Sequence, residues 1–151
     1  MIPPSSFDLD QMALTLWAEA RSEGELGIRA VAWVIRHRWE NPRWWSRERG
    51  DGIKEDTIAA VCRDPYQFSC WNKGDRQLVI LHNPATLKRV DVQRIRNLAQ
   101  QVLEEDYTAD PTNKADHYCR TDWVYKTYWA RSREPVAIIK AHSFFRLELR
   151  P

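Results

Sequence analysis

The chain has 151 residues, of which 43% are hydrophobic and 29% are charged, and this size and composition predict one globular domain covering residues 1–151. The 23 basic and 21 acidic residues leave a formal charge of +2. This balance excludes the strongly basic face of a dedicated nucleic-acid binder, and the hydrophobic fraction excludes an intrinsically disordered chain.

Two residue types stand out in the composition. Eight tryptophans suit either a packed core or a surface on which sugar rings stack, and composition alone favours the core. The three cysteines, Cys62, Cys70 and Cys119, form no CxxC pair, so neither a disulfide framework nor a zinc knuckle is predicted. We expect reduced, mostly buried thiols, with no metal and no cofactor.

The start of the chain carries no targeting signal. Residues 1–10 lack both the basic and the apolar regions of a secretory leader, and no stretch approaches the length of a membrane span. We therefore predict synthesis in the cytoplasm and no integral membrane segment. We also expect the protein to be a monomer.

The first predicted helix follows the capping residues Ser5, Ser6 and Asp8. Apolar residues then recur at the spacing of one helix face, at Leu9, Met12, Ala13, Leu16, Trp17 and Ala20. Glu19 falls at the edge of this stripe, so we expect its carboxylate to be neither fully solvated nor fully buried.

A second helix is predicted after Gly24 and Gly27, and it is so densely apolar from residue 28 to 35 that it should be the central helix. Arg36, His37 and Arg38 suit its C-terminal end, and Asn41-Pro42 marks its stop.

The remaining elements are predicted from caps, turns and residue preferences. Asp56 is predicted to cap a short helix through Cys62, and Asn83-Pro84 to open a long helix. Beyond the turn at residues 110–113, runs rich in Tyr, Trp, Val, Ile and Phe favour a few strands. The fold class is therefore α+β, mainly α, with a small β element near the C-terminal part.

Four blocks of residues occur in the order found in one protein family. They are Trp17-Ala18-Glu19-Ala20-Arg21 with residues 30–38, Gln67-Phe68-Ser69-Cys70-Trp71, Asp110-Pro111-Thr112 with His117-Tyr118, and Trp129-Ala130 with His142-Ser143-Phe144-Phe145. On these blocks the chain resembles the SleB-like cell-wall hydrolases, the spore-cortex-lytic and phage-associated peptidoglycan hydrolases.

The resemblance implies a fold and a catalytic residue. The family is similar to the lysozyme-like transglycosylases, with a catalytic Glu at the end of an early helix, facing a cleft beside a small β lobe; Glu19 matches that Glu. The sequence departs from the family pattern at Ser22, at His37 where the family usually has Asn, at Asn113-Lys114 and at Phe145. His37 places a titratable ring where an amide would position substrate or acid.

Glu19 has the setting of a general acid. Flanking apolar residues and the negative end of the first helix disfavour its anion and should raise its pKa, as protonation of a glycosidic oxygen requires. No second acidic residue matches a catalytic position of the family, so a lytic transglycosylase acting on peptidoglycan glycan strands is expected. A hydrolytic muramidase or glucosaminidase, with Glu23 as second carboxylate, is the alternative.

Other residues are expected to bind the substrate. Gln67, Ser69 and Trp71 combine hydrogen-bonding groups with aromatic faces in a loop, whereas Phe68 is more typical of a core anchor. On the resemblance, His117, Tyr118 and His142 are assigned to the same cleft, although each His also suits a structural role.

One further function class stays open, and another is disfavoured by the sequence. A non-catalytic wall-binding module would suit the tryptophan content, and a zinc peptidase would need ligand spacing that is missing, since there is no HExxH motif. If the source is a phage, the expected setting is an endolysin that reaches the cell wall through membrane holes opened by a holin.

Overall fold

Helix α1 (Ser6–Ala20) begins at a reciprocal cap that the sequence supplies. In the computed structural model, which describes residues 2–149, the Ser5 hydroxyl accepts the Asp8 N–H at 3.1 Å and the Asp8 carboxylate accepts the Ser5 N–H at 2.9 Å. The same carboxylate also accepts the N–H of Ala59 at 2.8 Å. One cap therefore starts α1 and ties it to the short helix that contains Ala59.

Helix α2 (Gly24–Glu40) is the central helix, as predicted, and residues 30–39 are all buried. It starts at Gly24, so Gly27 lies inside the helix and not before it. A Cβ on Gly27 would stand 2.4 Å from the Glu23 Cβ. The backbone of α2 thus approaches Glu23 at a distance that only glycine permits.

The last turns of α2 are fixed by three buried basic side chains. Arg36 donates to the carbonyls of Val102 and Glu105, at 2.7 Å each. His37 Nε2 lies 2.7 Å from the Asp110 carboxylate, and Arg38 Nε donates to the Asp116 carbonyl at 2.7 Å. Each residue holds a different later segment against the central helix.

Two predicted element boundaries differ from the structure, and one short helix was not predicted. Thr57, not Asp56, caps α3 (Ile58–Arg63) by accepting the Ala60 N–H, because Asp56 has a positive φ of 60°. Pro84 opens a short 3₁₀ helix, and the long helix α5 (Val90–Glu104) starts only after it. Helix α4 (Leu78–His82) was not predicted because it is barely more than one turn.

The predicted β element is a three-stranded antiparallel sheet of β1 (His117–Arg120), β2 (Ala137–Ile139) and β3 (His142–Phe145) in the order β1-β3-β2. All four residues of the central strand β3 are buried. The sheet contacts α2, while residues 121–126 form a 3₁₀ helix instead of extending β1. Among the helices of residues 2–149, none combines the length and the apolar character needed to cross a bilayer.

A buried carboxylate binds the backbone of the last described residues. Asp116 is fully buried and accepts the N–H groups of Leu147, Glu148 and Leu149 at 2.8 Å each, while His117 Nδ1 lies 2.9 Å away. Burial alone would raise the pKa of Asp116, but the hydrogen bonds from His117 and the backbone outweigh it and lower this pKa to about 2.

We expect Asp116→Asn to lower the free energy of unfolding by about 2–3 kcal/mol at pH 7, because an amide cannot accept all of these hydrogen bonds. The folded pKa lies below the unfolded value, so the carboxylate stabilises the protein above about pH 4 and this contribution disappears as the pH falls toward 2. Urea unfolding at several pH values measures both effects. Asp122→Asn, at a carboxyl that is 62% exposed, is the control; equal losses in the two variants would contradict the prediction.

Candidate active site

Glu19 lies in the last turn of α1, where the helix meets the 3₁₀ turn Ser69–Trp71. The backbone N–H of Cys70 donates to its carboxylate at 3.2 Å. The Arg21 guanidinium donates to the carbonyls of Trp17 and Ala18, at 2.9 and 3.3 Å. Arg21 thus caps the end of α1, while the Glu19 carboxylate contacts the Ser69–Trp71 turn.

Glu19 is half-buried, as its place at the edge of the apolar stripe predicts, and burial is the main influence on the pKa of its carboxyl. Burial raises the pKa of the carboxyl, and the hydrogen bonds from the Cys70 N–H and thiol and from the Ser69 hydroxyl only partly offset it. The nearby charge of Asp75 raises the pKa of Glu19 further. The predicted rise is therefore found, with desolvation as its main cause.

Trp71 is held by the helical part of the molecule. Its indole N–H donates to the Thr15 hydroxyl at 2.8 Å, and the Arg63 guanidinium lies 4.1 Å from its ring centroid. The ring is half-buried against the core, and Phe68 is 2% exposed, as expected for a core anchor. The geometry gives Trp71 a packing role, and its contact with substrate stays a prediction.

A cavity of about 550 Å³ lies between the sheet and the loop that contains Gln67. It is lined by two arginines, several aromatic rings and a few other residues: Arg38, Trp44, Tyr66, Gln67, Phe68, His117, Tyr118, Tyr128, Trp129, Arg133, Leu147 and Glu148. Three predicted site residues, Gln67, His117 and Tyr118, are among them. Glu19, Ser69, Trp71 and His142 are not, so the structure gathers only part of the predicted set around this cavity.

Tyr118 connects the cavity with Glu19. Burial, and after it the charge of Glu19, raises the pKa of the Tyr118 phenol well above its usual value. Its ring also lies 5.0 Å from the ring of His142 and stacks on Phe144 at 5.8 Å. The phenol on the cavity wall is therefore kept in its neutral form.

The two predicted histidines occupy different settings. His117 Nδ1 is bound to Asp116, and its ring packs edge-on against Trp129 at 5.1 Å. His142 Nδ1 lies 3.1 Å from the Glu23 carboxylate, but without the geometry of a hydrogen bond. Burial lowers the pKa of His142, although the charge of Glu23 opposes this shift. Glu23 and His142 lie at the turn between β2 and β3, where Glu23 also accepts the Ala141 N–H at 3.3 Å.

Sequence reasoning missed Arg38 and Asp75. Arg38 is 4% exposed, lines the cavity and donates to the Gln67 side chain at 3.2 Å; burial lowers its pKa to about 10. Asp75 is the acidic residue whose charge acts on Glu19. No local sequence pattern marks either residue as part of a site, because Arg38 is typical of a helix C-terminal end and Asp75 lies in an aperiodic loop.

His37 does not contact the Glu19 turn or line the 550 Å³ cavity. Its ring is buried, bound to Asp110 and packed 5.5 Å from Trp33. Asp110 in turn accepts the N–H groups of Thr112 and Lys114. His37 thus holds the turn at residues 110–114 against α2.

The cysteines are thiols, as expected. Cys62 and Cys70 are buried, and Cys119 is half-buried; burial raises the pKa of Cys62 to about 12 and that of Cys70 still further. Over residues 2–149, no three His, Cys, Asp or Glu side chains are grouped closely enough to hold a metal ion.

Removing the buried charge of Glu19 should stabilise the protein. Since the folded pKa of Glu19 lies above its unfolded value, the wild type loses stability as the pH rises through this interval. Glu19→Gln keeps an acceptor for the Cys70 N–H, so we expect it to exceed the wild type in free energy of unfolding at pH 8 and to match it near pH 4. Glu25→Gln, at a side chain that is 70% exposed, should show no such divergence, and parallel curves for Glu19→Gln and the wild type would contradict the expectation.

Replacing Trp71 separates packing from binding. We expect Trp71→Ala to lower the free energy of unfolding by about 2–3 kcal/mol, because it removes a half-buried ring and the hydrogen bond to Thr15. Trp123→Ala, at a ring that is 45% exposed, is the matched control and should cost far less. Unchanged stability of Trp71→Ala together with weaker retention on purified cell wall would assign Trp71 to substrate binding instead.

Comparison with known structures identifies the fold. The catalytic domain of the germination-specific lytic transglycosylase SleB from Bacillus anthracis is 23% identical with a TM-score of 0.64, over 95% of this chain and 98% of that one. The catalytic domain of the Bacillus cereus SleB protein is 23% identical with a TM-score of 0.66, over 95% and 93%. The predicted class, mainly α with a small β element, is confirmed as the fold of these domains.

Comparison at the level of sequence gives the family. A search among curated proteins returned no match. The family model described as Cell Wall Hydrolase matches residues 22–145, so Glu19 lies just before the first matched residue, Ser22. Because this match covers most of the chain, the protein belongs to the cell wall hydrolase family.

Proposed function

We propose that this protein cleaves the glycan strands of peptidoglycan as a lytic transglycosylase, with Glu19 as general acid and then general base. The observation that carries the proposal is the half-buried carboxyl of Glu19 at the end of α1, with a raised pKa and a backbone N–H directed at it. Membership of the cell wall hydrolase family and a fold shared with a SleB lytic transglycosylase domain support it.

The first step is proton transfer to the leaving oxygen. The protonated Glu19 donates to O4 of the N-acetylglucosamine as the bond from that oxygen to C1 of the N-acetylmuramic acid breaks. A carboxyl whose pKa is raised by burial holds this proton near neutral pH. The Cys70 N–H then stabilises the carboxylate that remains.

The second step closes a ring without water. The Glu19 carboxylate takes the proton from the C6 hydroxyl of the muramic acid, and the C6 oxygen bonds to C1 of the same sugar. Glu19 is returned to its protonated form, and the strand ends in a 1,6-anhydro sugar. One carboxyl is sufficient for this cycle, since the acceptor oxygen belongs to the substrate.

Hydrolysis by the same site is the second candidate, and Asp75 is the observation that favours it. Its charge acts on Glu19, whereas Glu23, the carboxylate considered from the sequence, is engaged by Ala141 and lies beside His142. As a base, Asp75 would activate a water molecule for attack on C1.

Glu19→Gln should remain folded and lose glycan cleavage by about 10²–10⁴-fold, because the amide cannot donate the required proton. Release of soluble fragments from purified peptidoglycan measures the rate, and Glu25→Gln is the matched control. Full activity of Glu19→Gln would overturn the role of Glu19, and undiminished wall binding without any cleavage by the wild type would indicate a binding module.

The chemistry of the new end distinguishes the two reactions. We expect digestion in water enriched in ¹⁸O to leave the new muramyl terminus unlabelled and 18 mass units lighter than a reducing sugar, because no water enters the product. A labelled reducing end would instead establish hydrolysis. In that case Asp75→Asn should abolish the label and the activity, with Asp122→Asn as its control.

A further inference from the structure

The 550 Å³ cavity carries more positive charge than the binding of an uncharged sugar needs. Arg38 and Arg133 both line it. The one carboxylate among its lining residues belongs to Glu148, which accepts the Trp44 indole N–H at 2.7 Å. The two guanidinium groups are thus opposed within the cavity by a single carboxylate that already has a partner.

Arg38 is the unusual member of this cavity, because an arginine that is only 4% exposed has lost most of its hydration. Its Nε is bound to the Asp116 carbonyl and one terminal nitrogen to Gln67. The other terminal nitrogen makes no hydrogen bond to any residue from 2 to 149. A buried cation with a free donor on a cavity wall is a site for an anionic group.

The acidic groups around Arg38 do not take up this donor. Asp116 and Asp64 attract its charge, but the Asp116 carboxylate is saturated by backbone N–H groups and His117. Asp64 is paired with Arg49 at 3.1 Å. Both carboxylates help to keep Arg38 charged while leaving its terminal nitrogen available.

The walls of the cavity suit a sugar with a peptide attached. Tyr66 is 85% and Tyr128 78% exposed, so their faces are open to a ligand, and Trp44 and Trp129 add two more rings. Aromatic faces stack on sugar rings and on the apolar parts of short peptides. The cavity adjoins Glu19 through one loop, since Gln67 and Phe68 line the cavity and the nearby Cys70 N–H donates to the Glu19 carboxylate.

We propose that this cavity binds the peptide stem of the muramic acid, with a free carboxylate of the stem held by Arg38 and Arg133 and the adjoining groups packed on Tyr66 and Tyr128. The proposal rests on the proposed function, because it places a glycan strand across Glu19. It assigns the enzyme a preference for strands that carry stems with unamidated carboxylates over bare or amidated strands.

Binding is measured first, on Glu19→Gln, so that no turnover intervenes. The probes are the disaccharide of N-acetylglucosamine and N-acetylmuramic acid bearing a tetrapeptide, the same compound with its peptide carboxylates amidated, and the disaccharide without peptide and with its lactyl carboxyl amidated. Calorimetry should show about tenfold tighter binding of the first probe, as expected for one charge-assisted pair. Equal affinity for all three would overturn the proposal.

Arg133→Gln, added to Glu19→Gln, should remove most of the difference between the free and amidated peptides. Arg131→Gln is the matched control, because Arg131 is exposed and does not line the cavity. Arg38→Lys, which keeps the charge but not the fork of donors, should weaken the preference in the same direction. A preference that survives in both Arg133→Gln and Arg38→Lys would place the carboxylate elsewhere and overturn the proposal.

Cleavage by the wild type then separates the two proposals. Intact strands should be cut with higher kcat/KM than strands stripped of stems by an amidase. Equal kcat/KM on the two substrates would overturn the stem site and leave the transglycosylase intact. If neither substrate is cleaved but the binding preference for free peptide carboxylates is present, the proposed function is overturned and the stem site is supported.

Discussion

The central helix α2 is held in place by the hydrogen bonds of its last basic residues, and both the fold and the site depend on them. Arg36 reaches the end of α5, His37 reaches the turn at residues 110–114, and Arg38 reaches the start of β1. These contacts join segments more than 60 positions apart in the chain. Arg38 is part of the cavity wall as well, so the bond that docks the sheet also aims a guanidinium at the cavity.

The site is assembled by bringing a helix end against a turn, and this arrangement has a thermodynamic cost. The Glu19 carboxyl is half-buried against the Ser69–Trp71 turn, which offers it hydrogen bonds from Ser69 and Cys70, and the loss of hydration disfavours its ionised form. Trp71 anchors that turn through Thr15, one helical turn before Glu19. A packing contact of the core thereby fixes the turn that meets Glu19, and the stability cost of the half-buried carboxyl is consistent with its proposed role as proton donor.

The helices whose signals lie within their own residues were predictable from the sequence. The 3.6-residue period and the Ser5 cap predict α1, and the dense apolar run predicts α2 as the central helix, because both signals lie within the element itself. Asp56 failed as a cap because its backbone turns into the positive-φ region, and Pro84 failed as the start of the long helix because a 3₁₀ turn intervenes. Glu19 was found through the family resemblance, whereas Arg38 and Asp75 gain their importance from partners that only the fold brings near.

Asp75 bears on which reaction the site supports. Two carboxylates close enough to interact do not ionise independently, so the charge on one favours protonation of the other. In the proposed first step, the charge of Asp75 favours retention of the proton on Glu19, where the leaving oxygen needs it. In the proposed second step, the same charge strengthens Glu19 as a base toward the C6 hydroxyl, because a carboxylate that is harder to ionise holds a returning proton more firmly. The charge of Asp75 would thus assist both halves of the proposed one-carboxyl cycle without Asp75 itself exchanging a proton, so a second acid near Glu19 is compatible with the proposed transglycosylation.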